Sequence, residues 1–198
     1  MDLRVIIPVK TFAEAKQRLA PALNPAERVR LAEDMFLHVF EMASAFIGAA
    51  NVLVISRLTD VLAIADARGA VTIAEREPYD LNSALLQAAS VAQRRGASRV
   101  LALASDLPLL QKSDLAEMAQ HACAIAPDRH NRGTNALLWP AMLPFAFGND
   151  SFARHLTIAD QAGVSMQVVR RPGLAHDVDV PEDLIDAIPR PRFSGGEA

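Results

Sequence analysis

The chain has 198 residues, a net charge of −3 and 51% hydrophobic residues, enough for one α/β domain with a sizeable core. That charge, with aromatics at only 5%, excludes a base-stacking nucleic-acid binder and an electrostatic binder of anionic membranes. An anionic substrate would therefore need a local basic cluster or a metal ion. Cys123 is the only cysteine, so an intrachain disulfide is ruled out, which fits a reducing cytoplasm. It lies in the apolar run His121-Ala122-Cys123-Ala124-Ile125 and reads as a small buried residue rather than a nucleophile. The sequence shows neither a secretory leader nor an apolar stretch of spanning length, so a cytoplasmic location is expected.

The first predicted element is a buried strand over Val5–Val9, apolar and β-branched. Asn24-Pro25 then opens a long helix, with Asn24 as cap and proline at the first helical position. Its apolar positions, among them Met35, Phe36, Val39, Phe40 and Ala43, follow helical spacing. Val52–Ile55 is a second strand, Asp60–Arg68 a short helix closed at Gly69, and Val71–Ile73 a third strand. Leu81–Arg95 is a helix stopped by Gly96, and Val100–Ala104 a fourth strand ending at Ser105-Asp106. Ser113 is expected to cap a helix to Gln120. Strands follow at 122–126 and 135–139. Ser151 is expected to cap a helix to Ala162, and a strand follows at 165–169. Pro181 opens a last helix to about Ile188, and residues 189–198 read as a mobile tail.

This alternation predicts an α/β fold: one domain over residues 1–188, with a mostly parallel sheet and helices on both faces. Ligands bind outside the carboxyl ends of such strands. That rule selects the loop after the first strand, with Lys10, Lys16 and Arg18, whose charges suit phosphate oxygens. It also selects Asp106, an acid after an apolar strand and a natural holder of Mg²⁺. Both patterns equally suit a solvated basic loop and a turn aspartate. In an extended segment Asp177 and Asp179 point to one side, and opposite Asp106 they would complete a metal site. Asp179 also suits the cap of the next helix, and Glu182 and Asp183 suit its first turn. Gly133-Thr134-Asn135 and Gly148-Asn149-Asp150-Ser151 complete the candidates. Gly148 permits close backbone approach, and the helix start at Ser151 offers N–H groups to an anion. Dinucleotide, phosphate-loop and nucleophile-elbow motifs are all absent from the sequence.

Together these segments resemble the 2-phospho-L-lactate guanylyltransferases of coenzyme F-420 biosynthesis. The resemblance runs from Val5 to about Ile188. It is carried by Ile7-Pro8-Val9-Lys10, Ala15-Lys16-Gln17-Arg18-Leu19-Ala20, Leu81-Asn82, Asp106-Leu107-Pro108-Leu109-Leu110, Ala126-Pro127-Asp128-Arg129, Gly133-Thr134-Asn135-Ala136-Leu137, Phe152-Ala153-Arg154-His155 and Asp177-Val178-Asp179. It implies a Rossmann-like nucleotidyltransferase fold. It also implies transfer of GMP from GTP to the phosphate of 2-phospho-L-lactate, phosphoenolpyruvate or 3-phospho-D-glycerate, with release of pyrophosphate. It assigns Lys10, Lys16, Arg18, Leu81 and Asn82 to GTP, with Lys16, Arg18 and Asp106 catalytic. Asp106, Asp177 and Asp179 would hold Mg²⁺, and Thr134, Gly148 and Ser151 the phospho-acid. A homodimer is among the assemblies to expect. The chain departs from the family at Asp80, where a glycine is usual, and at Ser83, often alanine; both are expected to shape the acceptor side. Two other readings stay open: a nucleotidyltransferase of the same fold acting on a sugar phosphate, and a non-catalytic GTP-binding module.

Overall fold

The computed structural model describes residues 2–10 and 16–184. Strand β1 (Leu3–Pro8) is apolar on both sides: Val5 and Ile7 enter one core, Ile6 the other. Two-sided apolarity belongs to a strand covered by helices above and below. β2 (Val52–Ser56) sorts in the same way, with Val52 and Val54 on one face and Leu53 and Ile55 on the other. The remaining strands are β3 (Val71–Ala74), β4 (Arg99–Leu103), β5 (Ala124–Pro127), β6 (Thr134–Pro140) and β7 (Gln167–Val168). They form one seven-stranded sheet in the order β3-β2-β1-β4-β6-β5-β7. β6 runs antiparallel to both neighbours, and every other pair is parallel.

One face carries α1 (Pro25–Ile47), α2 (Thr59–Asp66), α4 (Lys112–Ala119) and the short α6 (Pro172–Ala175). The other carries α3 (Leu81–Arg94) and α5 (Ser151–Gln161). α3 meets the sheet through Ala84, Leu85, Ala88, Ala89 and Ala92, the small-residue packing that the alanine-rich composition favours. α1 begins as its sequence dictates. Asn24 accepts from the Glu27 N–H, and Glu27 accepts from the Asn24 N–H, a reciprocal cap. A third, small cluster joins Leu19, Met35 and Val178.

Several boundaries differ from expectation. α4 starts at Lys112, and Asp114 rather than Ser113 serves its first turn by accepting from the Gln111 N–H. α5 starts at Ser151 itself, behind Asp150 in a left-handed conformation, so Ser151 is not the cap. α6 has a proline at its start and was too short to leave a helical period. A 3-10 turn, Pro181–Asp183, occupies the start of the expected last helix. The rest of that helix and the 189–198 tail lie outside the described residues. Cys123 is buried, as its setting implied. No described helix is long and apolar enough to cross a membrane.

Candidate active site

Strand direction decides which residues meet. β1 and β4 are parallel neighbours, so Lys10 and Asp106 leave the same sheet edge. β6 is antiparallel to β4, with Leu103 opposite Ala136. Its beginning, Thr134-Asn135, therefore lies at that edge too, and the Ala104 N–H donates to the Asn135 carbonyl at 2.8 Å. A cleft of about 310 Å³ results, lined in part by Lys10, Lys16, Leu81, Asp106, Thr134, Asp177 and Asp179. A polar cleft adjoins it and adds Arg18, Gly148 and Ser151. Every candidate except Asn82 lines one of the two.

Lys16 stands in a left-handed conformation (φ 59°) before a 3-10 turn, Gln17–Leu19. Its ammonium donates to Asp106 and, at 3.0 Å, to Asp179. Burial disfavours the lysine charge, but Asp106 and then Asp179 outweigh it and hold the pKa above the ordinary value. Asp177 is the opposite case. Burial, and next the negative charge of Asp106, push its carboxyl up, while the Asn135 amide donating at 3.2 Å resists. Val178 between them is buried against Leu19 and Met35, leaving Asp177 and Asp179 to the cleft as strand alternation requires. Asp183 fixes this segment by accepting from the Asp179 and Val180 N–H groups at 2.6 and 2.9 Å and from Arg129. The first-turn role read for Asp183 thus sets the position of Asp179.

Among the described residues no three Asp, Glu, His or Cys groups close a metal cage. The donor set still suits Mg²⁺: the carboxylate oxygens of Asp106, Asp177 and Asp179 face one cleft. Mg²⁺ needs only one or two carboxylates when substrate phosphates supply the rest.

The acceptor-side residues form a connected network. The Ala146 N–H donates to His155 Nε2 at 3.0 Å. An amide N–H cannot accept, so Nε2 carries no proton. Burial, and then the charge of Arg154, lower the His155 pKa to about 4, leaving a neutral ring with its proton on Nδ1. Nδ1 lies 3.1 Å from Thr134 Oγ1, to which Ser151 Oγ also donates at 3.2 Å. The Thr134 oxygen thus accepts twice, and its own hydrogen remains for a partner in the cleft. His155 carried no sequence signal beyond its place in the family motif. Asn135, which supports Asp177, sat inside a quoted motif without an assigned role.

Two expectations change here. The start of α5 offers an anion fewer N–H groups than expected: the Ser151 N–H donates to the Gly148 carbonyl and the Phe152 N–H to the Arg132 carbonyl. Asn82 lines neither of these two clefts. Its amide donates to the Phe147 carbonyl and accepts from the Phe147 N–H, clamping the loop before Gly148. Gly148 itself has φ 117°, a region that side chains rarely tolerate. Asp80 caps α3 by accepting from the Asn82 and Ser83 N–H groups. That gives both departures from the family pattern a helix-starting role.

A guanylyl transferase CofC-like family model matches residues 3–189. A phosphoenolpyruvate guanylyltransferase of Rubrobacter xylanophilus is 40% identical, over 93% of this chain and 92% of its own. A 2-phospho-L-lactate guanylyltransferase of Methanothermobacter thermautotrophicus is 37% identical, over 95% and 85%. Among solved structures, a Desulfovibrio desulfuricans protein assigned to the nucleotide-diphospho-sugar transferases superposes with a TM-score of 0.72 over 98% of this chain and 89% of its own. At 15% identity that likeness shows the fold alone. On the match along nearly its whole length, the chain belongs to the guanylyl transferase CofC-like family.

Proposed function

We propose that the chain transfers GMP from GTP to the phosphate of a small three-carbon phospho-acid. The observation that carries this reading is the meeting, at one sheet edge, of Asp106, Asp177 and Asp179 with Lys10, Lys16 and Arg18. The names of the two relatives support the substrate classes. A phosphate oxygen of the acceptor attacks the α-phosphorus of GTP, the α–β bridging P–O bond breaks, and pyrophosphate leaves. No covalent protein nucleophile is required, so positioning and charge carry the catalysis. Lys10, Lys16 and Arg18 gather the triphosphate, and Thr134 donates its remaining hydrogen to the acceptor beside Gly148 and Ser151. Mg²⁺, held by Asp106 and by Asp177 or Asp179, would neutralise charge developing on the phosphoryl oxygens. We place the reaction in the cytoplasm, in coenzyme F-420 biosynthesis. The test is mass-spectrometric detection of guanylylated product from GTP with phosphoenolpyruvate, 2-phospho-L-lactate and 3-phospho-D-glycerate in competition. One product should dominate and require Mg²⁺. Pyrophosphate release with none of the three acceptors would sink the reading.

A further inference from the structure

Beside the central cleft, at the ends of β1, β2 and β3, lies a third cavity, of about 310 Å³. Its walls include Val9, Lys10, Arg57, Glu75, Tyr79 and Leu81, and it shares Val9, Lys10 and Leu81 with the central cleft. Glu75 directly follows β3, and its N–H donates to the Ser56 carbonyl at 2.9 Å, which fixes its backbone. The side chain is half-buried, yet its carboxylate makes no hydrogen bond or ion pair among the described residues. Burial pushes its pKa up, while the charges of Arg57 and Lys10 pull it down. A partly desolvated carboxylate with no donor among the described residues is a cost that a ligand carrying donors would remove.

We propose that this cavity binds the nucleobase of the triphosphate and that Glu75 selects guanine. The inference rests on the guanylyl-transfer reading. Guanine alone among the common bases presents two adjacent donors, N1–H and the 2-amino group, which match the two oxygens of a carboxylate. Adenine places an acceptor at N1, and cytosine places acceptors at N3 and O2, so both would face Glu75 with lone pairs. Arg57, within electrostatic reach of Glu75 and lining this cavity but not the central cleft, carries the charge suited to the guanine O6. Val9 and Leu81 offer apolar walls to the ring, and Tyr79, 54% exposed, stands at the rim where it can stack. A base held here leaves the sugar and triphosphate to run past Lys10 into the central cleft. A site built to pair with polar groups also rejects analogues that lack them.

The test compares GTP with inosine triphosphate, which keeps N1–H and lacks the 2-amino group, and with ATP. In the parent enzyme GTP should be preferred over the inosine analogue by about tenfold or more in kcat/KM, and over ATP by far more. Glu75→Gln should lower kcat/KM for GTP by at least about tenfold and bring the GTP-to-inosine ratio within about threefold. Its thermal midpoint should barely move, because the Glu75 carboxylate holds no other residue by a hydrogen bond or ion pair among the described residues. Calorimetric binding of the same nucleotides supplies the ratio without turnover. An unchanged ratio in Glu75→Gln, or a complex with guanine elsewhere, overturns the assignment while leaving guanylyl transfer intact. A parent that binds no GTP overturns both.

Discussion

The two halves of the sheet prepare the site in different ways. The parallel half, β3-β2-β1-β4, brings apolar walls and charges that carry few described partners: Lys10, Arg18 and Glu75 make no described side-chain bonds. The antiparallel half, β6-β5 with the segments that follow, brings groups already tied to one another. Thr134, His155 and Ser151 form one network, Asn135 and Asp177 a second, Asp183 and Arg129 a third. The parallel half thus resembles a receptor whose charges await a highly charged, mobile ligand. The antiparallel half is a rigid jig in which one hydroxyl hydrogen is held ready for a small one. Asp106 and Lys16 lie at the seam, and Lys16 spans it by bonding to Asp106 on one side and Asp179 on the other.

Breaking the seam should have the largest effect. Asp106→Asn should keep the far-ultraviolet circular dichroism and lower kcat on the order of a hundredfold or more, because a preorganised charge is lost. Near-parental turnover at saturating Mg²⁺ would show that the two halves meet without Asp106. Next come the cations of the receptor half. Lys16→Ala should reduce kcat/KM for GTP more than Arg18→Ala does, since Lys16 is held between two carboxylates and Arg18 is exposed. Equal GTP titrations of parent and both variants would make the loop mere surface.

The jig half should answer to the acceptor alone. Thr134→Val should raise the acceptor KM about tenfold, the size of one lost hydrogen bond, and leave the GTP KM near the parental value; Thr134→Ser should stay close to parent. Ser151→Ala should do less, since it removes only one of two donors to Thr134. Parallel rises in both KM values would erase the division of labour. The smallest effect on activity belongs to His155, where stability is the sharper readout. Its folded-state pKa, about 4, lies below the unfolded value of about 6.5. As pH falls through that window the denatured chain takes up a proton that the native ring refuses, so stability is lost on acidification. The loss is on the order of 3 kcal/mol, from about 1.4 kcal/mol per unit. His155→Gln keeps an acceptor for the Ala146 N–H and should flatten this part of the urea-midpoint profile between pH 7 and 4.5. A profile as steep as the parent's would show that another group titrates there.

The sheet and most helices were legible because period-two and period-3.6 patterns and caps such as Asn24 act locally. The strand expected at 165–169 is present as the shorter β7, whereas α6 was not legible, since four residues carry no period. Within the site, Lys10, Lys16, Arg18 and Asp106 could be named from their places after strands, and Asp177 and Asp179 from two-residue alternation. The rule that ligands gather at carboxyl ends could not supply Thr134 and Asn135, which open a strand and reach the edge only because β6 is reversed. His155 was invisible for another reason: its role depends on a backbone amide nine residues earlier and a hydroxyl from a different element. Ser151 misled because serine at a helix start so often caps, whereas here an aspartate in a left-handed turn holds that place.

The small cluster of Leu19, Met35 and Val178 has a consequence for motion. It lies apart from the two cores that cover the sheet, yet it holds Val178 between two cleft aspartates and Leu19 three residues after Lys16. Only Leu23, Leu31 and Leu184 pack against its three buried residues, a far smaller cluster than either core, so this corner should open at a lower free energy than the sheet does. The charged seam should therefore open while the strands stay shut, and amides near Leu19 and Val178 should exchange with deuterium ahead of those in β1 and β4. Bound triphosphate, by linking Lys16 to the aspartates across the seam, should slow that exchange first.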